Sequence, residues 1–195
     1  VDVCSAVAEV FIALGFENFK IHINHRQLLK CLIKAAGIPP EKEATTLVAV
    51  DKLDKIGIDG VKKELNQRLI NTEQIENLLN LISRPEQNTE IEELERLQNA
   101  LSDIEDARKH IDLLQQLCSL LDKTTAARNY CIDASLARGL GYYTGPIFEI
   151  RSPEISGSIG GGGRYDGLIG MFKGNQIPAV GFSIGFERLI LVLEE

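Results

Sequence analysis

The stretch "YYTGPIFEI" (residues 142–150) gathers β-branched and aromatic residues around one glycine, and it is one of three such runs after residue 127. "RNYCIDASLARG" (128–139) precedes it and "IPAVGFSI" (177–184) follows. Short β-rich segments punctuated by glycine predict an antiparallel sheet. Upstream, "FKIHINH" (19–25) alternates apolar and polar residues as a half-buried strand does. From residue 26 to 121 almost every signal is helical. The expected fold class is therefore α+β: a body of residues 1–36 and 125–195 interrupted by an all-helical insertion at 37–124, with the chemistry in the body.

The helical signals are specific. Val3, Ala6, Val7, Val10, Phe11 and Leu14 repeat as on an amphipathic helix, and Gly15 closes it. "RQLLKCLIKAAG" (26–37) ends at a glycine before Pro39 and Pro40, which can open the next helix. Asp59 and Thr72 suit N-caps, and Pro85 breaks the chain again. Leu94, Leu97, Leu101, Ile104, Ile111, Leu114, Leu117 and Leu121 are spaced by threes, fours or sevens. That repeat is barely long enough for a coiled coil, and the core of a helical hairpin is the preferred reading. "FERLILVLEE" (186–195) is expected to close the chain as a helix.

With 44% hydrophobic and 25% charged residues in 195, the chain can bury a core. No run approaches the roughly 18 apolar residues of a membrane span, and the start lacks the basic region of a signal peptide, so a cytoplasmic protein is expected. Cys4, Cys31, Cys118 and Cys131 form no C-x-x-C pair and read as reduced, mostly buried thiols. His22, His25 and His110 have no metal-ligand spacing. A formal charge of -7 argues against a broad nucleic-acid-coating surface but permits a local basic stripe. The first residue is Val1, not methionine, which points to a piece of a longer protein.

Three clusters carry candidate chemistry. In "SIGGGGRYDGLIGMF" (158–172), Gly160 to Gly163 run into Arg164, Tyr165 and Asp166. A P-loop needs a lysine and a hydroxyl after its last glycine, and a dinucleotide fingerprint needs G-x-G-x-x-G; neither is present. Two readings remain: a bulged sheet corner, or a place where a ligand or a second backbone comes close. In "LARGLGYYTGPIFE" (136–149), Arg138 stands beside glycines and two tyrosines. A planar cationic fork with aromatic walls can receive a carboxylate or phosphate, and Arg138 can equally form a structural ion pair. In "AVGFSIGFERL" (179–189), glycines at 181 and 185 lead into a helix whose first turn carries Glu187 and Arg188. Such a junction can reach a nucleotide, or it can simply expose a Glu–Arg pair.

Taken in order, the three clusters resemble the second half of the catalytic domain of histidyl-tRNA synthetases, a class II aminoacyl-tRNA synthetase family. "RGLGYYTGPIFE" resembles the first histidine-specific motif of that family, "GGGRYDGL" the second, and "AVGFSIGFERL" the class II motif 3. "IHINHRQLL" and "VAVDKLDKIG" are similar to the family's approach to its helical insertion, so the resemblance spans the chain. It implies that histidine is activated with ATP to histidyl-adenylate and passed to tRNA(His). Arg138 matches the arginine that contacts the histidine carboxylate and the α-phosphate. Tyr143 and Tyr165 match tyrosines of the histidine pocket, with Tyr142 beside them and Gly161, Gly162 and Gly163 as its floor. Arg188 matches the motif 3 arginine that binds ATP, and Gly185 lies where the adenine packs. ATP, accompanied by Mg2+, is implied as a substrate, with no prosthetic group and no metal held by the protein.

The insertion of this family lies against the tRNA acceptor stem, which makes Lys52, Lys55, Lys62, Lys63 and Arg68 candidate phosphate contacts. Acidic residues are interleaved with them, as on an ordinary solvated face. Gly141 stands where many members have aspartate. The resemblance places motifs 1 and 2 before Val1 and an anticodon-binding domain after Glu195, so the chain alone is expected to be inactive and the homodimer to belong to the full-length protein. A competing expectation is a non-catalytic relative that binds histidine or RNA, such as a regulatory subunit of ATP phosphoribosyltransferase or a tRNA-sensing kinase domain. Retention of Arg138 favours the enzyme, because a regulator has no transition state to stabilise.

Overall fold

The structure, a computed structural model, describes residues 1–138 and 141–193, without the side chains of Lys173 and Val192. Gly139 and Leu140 of the arginine–tyrosine motif, and residues 194 and 195, lie outside the described residues.

Helix α1 (Asp2–Ala13) ends at Leu14 before Gly15, where the glycine signal puts it. Strand β1 (Lys20–His25) follows and passes directly into α2 (Arg26–Ala35), whose N-cap is His25: its Nδ1 accepts from the Gln27 N–H at 3.2 Å. Pro40 opens a 3-10 turn, Pro40–Lys42, and α3 (Glu43–Val50) continues from it.

Helix α4 (Leu53–Gln67) is bent at Gly57, whose φ of +66° only glycine enters without strain. Asp59 therefore lies inside α4 rather than at its cap. Helix α5 (Thr72–Ile82) is capped one residue earlier than expected, by Asn71 in a reciprocal capping box with Gln74. Pro85 does fall in a break between helices.

The leucine repeat is divided between α6 (Glu90–Ala100), capped by Thr89 with Glu92, and α7 (Ala107–Leu121). The two pack against each other, as a hairpin core requires. One buried apolar cluster continues from Phe11, Ile21 and Ile23 through Leu28 and Leu32 to Leu78, Leu97, Ile111 and Leu121.

The later strands are β2 (Tyr130–Ile132), β3 (Pro146–Ser152), β4 (Ile155–Arg164) and β5 (Val180–Ile184), with a short helix α8 (Gly170–Lys173) and a closing helix α9 (Phe186–Leu193). Sheet order is β2-β1-β3-β4-β5. Most pairs are antiparallel as expected, but β2 pairs with β1 in parallel. The chain leaves β1 and returns to it through the whole helical segment, long enough for a crossover rather than a hairpin. The glycine run is not a loop: Gly160 to Gly163 lie inside β4, paired on both sides.

Register fixes the two faces of the sheet. Ile21, Ile150, Gly160 and Ile184 form one cross-strand row, and Ile23, Phe148, Gly162 and Phe182 another on the same face. The opposite face carries His22, Glu149, Gly161 and Ser183 in one row and Asn24, Ile147, Gly163 and Gly181 in the next. That second face is poor in side chains at one end and charged at the other.

Candidate active site

The glycines on the sparse face are roofed by three of the residues singled out in the sequence. A Cβ at Gly161 would collide with the guanidinium of Arg138, whose Cζ would be 2.9 Å away. One at Gly163 would meet the Tyr143 ring at 2.8 Å, and one at Gly181 would strike the Tyr165 hydroxyl. Gly160 and Gly162 are needed for another reason: β5 approaches so closely that a Cβ at either would run into its backbone. Gly160 and Gly162 thus let β5 pair closely alongside β4, and Gly161 and Gly163 admit an arginine and a tyrosine onto one face of it. Tyr142 joins the aromatic wall, its ring centroid 4.3 Å from that of Tyr143 and 6.3 Å from that of Tyr165. Burial pushes the Tyr143 hydroxyl well above the ordinary phenol range, and Tyr142 adds to the effect, so the group is a proton donor at neutral pH.

Arg138 is held from two sides. Its Nε donates to the Glu149 carboxylate, and its Nη2 donates to Ser158 Oγ at 2.5 Å. Glu149 is 6% exposed, and its second oxygen accepts from Arg151 Nε at 3.0 Å. A buried carboxylate shared by two guanidiniums keeps both planar groups in fixed orientation. Arg188 also reaches Ser158, donating to its carbonyl at 3.1 Å and to that of Ser156 at 3.3 Å. Among the described residues no carboxylate lies within ion-pair reach of Arg188. Gly185 turns β5 into α9, its N–H donating to the Ile159 carbonyl at 2.7 Å.

Arg138 and Arg188 line one cavity of about 690 Å³ together with Arg151, Lys55, Glu149 and Ser158. The free edge of Arg188 and the outer edge of Arg138 give it a cationic side, Asp51 and Asp54 also line it, and the tyrosines lie outside its lining, beside Arg138 through their adjoining glycines. The cationic side suits an anionic ligand with a flat polar group. Gly141, where the resemblance expects aspartate, has φ +143°, a conformation that side-chain-bearing residues rarely enter.

Comparison with known proteins decides the family. The family model for histidyl-tRNA synthetase matches residues 1–189. This chain belongs to the histidyl-tRNA synthetase family. The histidine–tRNA ligase of Gloeobacter violaceus is 41% identical over 197 residues, covering 100% of this chain and 42% of the relative. That of Aeropyrum pernix is 39% identical, over 97% of this chain and 42% of its own length. The crystal structure of histidyl-tRNA synthetase from Nostoc sp. PCC 7120 superposes with a TM-score of 0.87 at 31% identity, covering 98% of this chain and 45% of that one. The chain thus spans less than half the length of the curated relatives it matches.

In this chain the basic residues of the helical segment are mostly engaged. Lys52 and Arg68 both pair with Glu64, at 2.8 and 2.6 Å, and Lys62 pairs with Glu76 at 2.7 Å. Lys55 lines the cavity of Arg138, and Lys63 lies with Gly60, Glu64, Gln67 and Arg68 along a shallow depression. Cys4, Cys31 and Cys118 are buried free thiols, and Cys131 is half-buried. Among the described residues no group of three His, Cys, Asp or Glu side chains is arranged to hold a metal, and no helix is long and apolar enough to cross a membrane.

Sequence reasoning missed Glu149, Ser158 and Arg151. A signal for two of them was present: in "PIFEIRS", Phe148 and Ile150 alternate with Glu149 and Arg151, which puts the two charges on one face.

Proposed function

We propose that this chain forms the amino-acid and nucleotide pocket of a histidine–tRNA ligase, the enzyme that activates histidine with ATP and transfers it to tRNA(His). In the first step a histidine carboxylate oxygen attacks the α-phosphorus of ATP. The bond to the bridging oxygen breaks, and pyrophosphate leaves with the electron pair. Arg138 touches the carboxylate and the α-phosphate, and stabilises the charge that grows on the non-bridging oxygens. Its clamp between Glu149 and Ser158 means that little reorganisation is needed when that charge appears. Arg188, backed by the Ser156 and Ser158 carbonyls, holds the nucleotide, with Gly185 leaving room for the adenine end. Tyr142, Tyr143 and Tyr165 orient the imidazole, with Gly161 and Gly163 seating Arg138 and Tyr143 beside it and Gly162 on the far face letting β5 pair closely. Mg2+ arrives with the ATP as part of the substrate.

The observation that carries this reading is the convergence of Arg138 and Arg188 on Ser158 at one cavity, with Tyr143 seated on the next front-face glycine. Residues 37–124 form the helical insertion domain that faces the acceptor stem, with residues 1–36 and 125–195 the catalytic body. The full protein works as a cytoplasmic homodimer, and the isolated 195-residue chain does not activate histidine. The test is ATP–pyrophosphate exchange by the protein containing this chain. Exchange that depends on histidine and on no other amino acid supports the reading. Absence of exchange in that protein, or exchange by the isolated chain, contradicts it.

A further inference from the structure

Glu149 is not the end of the network that holds Arg138. Arg151, two residues along β3 on the same face, gives its Nε to Glu149 at 3.0 Å and its Nη2 to Asp54 at 2.5 Å. Its Nη1 lies 3.5 Å from Asp133, which in turn pairs with His22 at 2.8 Å. Every nitrogen of Arg151 therefore faces a carboxylate. Burial works against its charge, but Asp133, Glu149 and Asp54 outweigh burial and hold it firmly protonated. The β3–β4 register slips on both sides of Arg151, an irregularity of the kind that re-aims a side chain beside an active site.

Asp54 belongs to another part of the chain, 97 residues away. It lies in the first turn of α4, which the bend at Gly57 sets apart from the remainder of that helix. The line Asp54–Arg151–Glu149–Arg138 is thus a continuous path of ion pairs from the first turn of α4 to the guanidinium at the cavity. Each oxygen of buried Glu149 has a separate guanidinium partner. If Arg151 moves, one oxygen of a carboxylate that is only 6% exposed loses its donor, and Glu149 must shift toward its other partner.

We propose that Arg151 and Asp54 are positioning residues that couple the seating of α4 to the aim of Arg138. The inference rests on the reading of Arg138 given above. Neither residue touches the reacting atoms, so their effect is expected in kcat while the KM values for histidine and ATP stay near those of the unsubstituted enzyme.

The experiment is a double-mutant cycle in the full-length enzyme, read by histidine-dependent pyrophosphate exchange and thermal denaturation. Arg151→Met frees Glu149 on one side and is expected to lower kcat about 100-fold, the cost of a misplacement on the order of 1 Å. Asp54→Asn is expected to lower kcat about 5-fold, within the range for network residues remote from a ligand. Because the Asp54 pair is half-exposed, Tm should stay within about 2 °C. In the Arg151→Met background Asp54→Asn should cost nothing more, and Arg151→Lys should recover part of the loss. Multiplicative losses in the cycle, or a lower Tm with unchanged kcat, would overturn the coupling while leaving the ligase reading intact. An unsubstituted enzyme without exchange would overturn the ligase reading and this inference with it.

Discussion

Gly161→Ala is the sharpest perturbation of the site, because it adds one carbon beneath the guanidinium of Arg138 and alters nothing else. The backbone at Gly161 is not in the left-handed region, so alanine fits its conformation. The added Cβ would lie 2.9 Å from Arg138 Cζ and 3.2 Å from the Phe148 carbonyl oxygen. Non-bonded heavy atoms prefer about 3.5–4.0 Å, and Arg138 Nη1 lies closer to the added carbon than Cζ does, so the guanidinium must rise by roughly 1 Å or more. Lifting it that far breaks its bonds to Glu149 and Ser158 together. A displacement of about 1 Å costs on the order of 100-fold in rate, or about 2.7 kcal/mol of transition-state stabilisation. Folding stability should fall by about 1–2 kcal/mol, because lifting Arg138 leaves one oxygen of buried Glu149 without its donor, while the Arg138 side chain itself can swing into the cavity. The assay is histidine-dependent pyrophosphate exchange by the full-length protein, with Gly167→Ala as control, since a Cβ there meets nothing within 4 Å. Full kcat in Gly161→Ala, or equal losses in both variants, would refute the argument that Arg138 is seated on this glycine.

Gly163→Ala presses on the Tyr143 ring and on the Pro146 carbonyl of β3, each 2.8 Å from the added carbon, and is expected to lower stability somewhat and to raise the KM for histidine about tenfold, more than it lowers kcat; steady-state exchange over a histidine series and thermal denaturation check this. His25 is buried, its ring centroid 4.5 Å from that of His110, and burial first and then the charges of His110 and Arg164 push its pKa from 6.5 down to about 4. The unfolded chain therefore takes up the proton first. Stability is level above pH 6.5 and falls by about 3 kcal/mol as pH drops to 4, with His110, also shifted downward, adding in the same direction. His25→Asn keeps an N-cap and should flatten most of that slope in urea titrations from pH 7 to 4.5. Asn71→Ala removes the side-chain half of the α5 capping box, leaving the residue-71 N–H on Gln74, and should cost about 1 kcal/mol by the same measurement at pH 7.

The parts of this fold that sequence made legible are those set by local chemistry. The 3.6-residue repeat of α1, the proline break after α5 and the alternation in β1 each reflect one chain segment and its own solvent exposure. The parts that were not legible depend on partners distant in sequence. The parallel pairing of three-residue β2 with β1 is decided by the length of the crossover between them, not by anything in "YCI". The leucine repeat over 94–121 reads as a hairpin core but does not show where the hairpin turns, because the two leucine faces that meet at residues 101–106 have similar spacing. At the site, the glycine run announced close approach but not which glycines let β5 pair alongside and which seat Arg138 and Tyr143. Glu149 reads as the solvent side of a half-buried strand, and it is buried because Arg138 and Arg151 close over it from either side.

If Arg138 stabilises the transition state of adenylate formation, as proposed above, Arg138→Lys in the full-length protein should abolish most of the activity. Lysine keeps the charge but lacks the fork that holds Glu149 and Ser158 together. The expected result is a fall in kcat for histidine-dependent pyrophosphate exchange of at least about 100-fold, comparable to the loss of one oxyanion donor, with little change in thermal stability because the lysine charge still faces Glu149. Exchange within about threefold of the unsubstituted enzyme would contradict it.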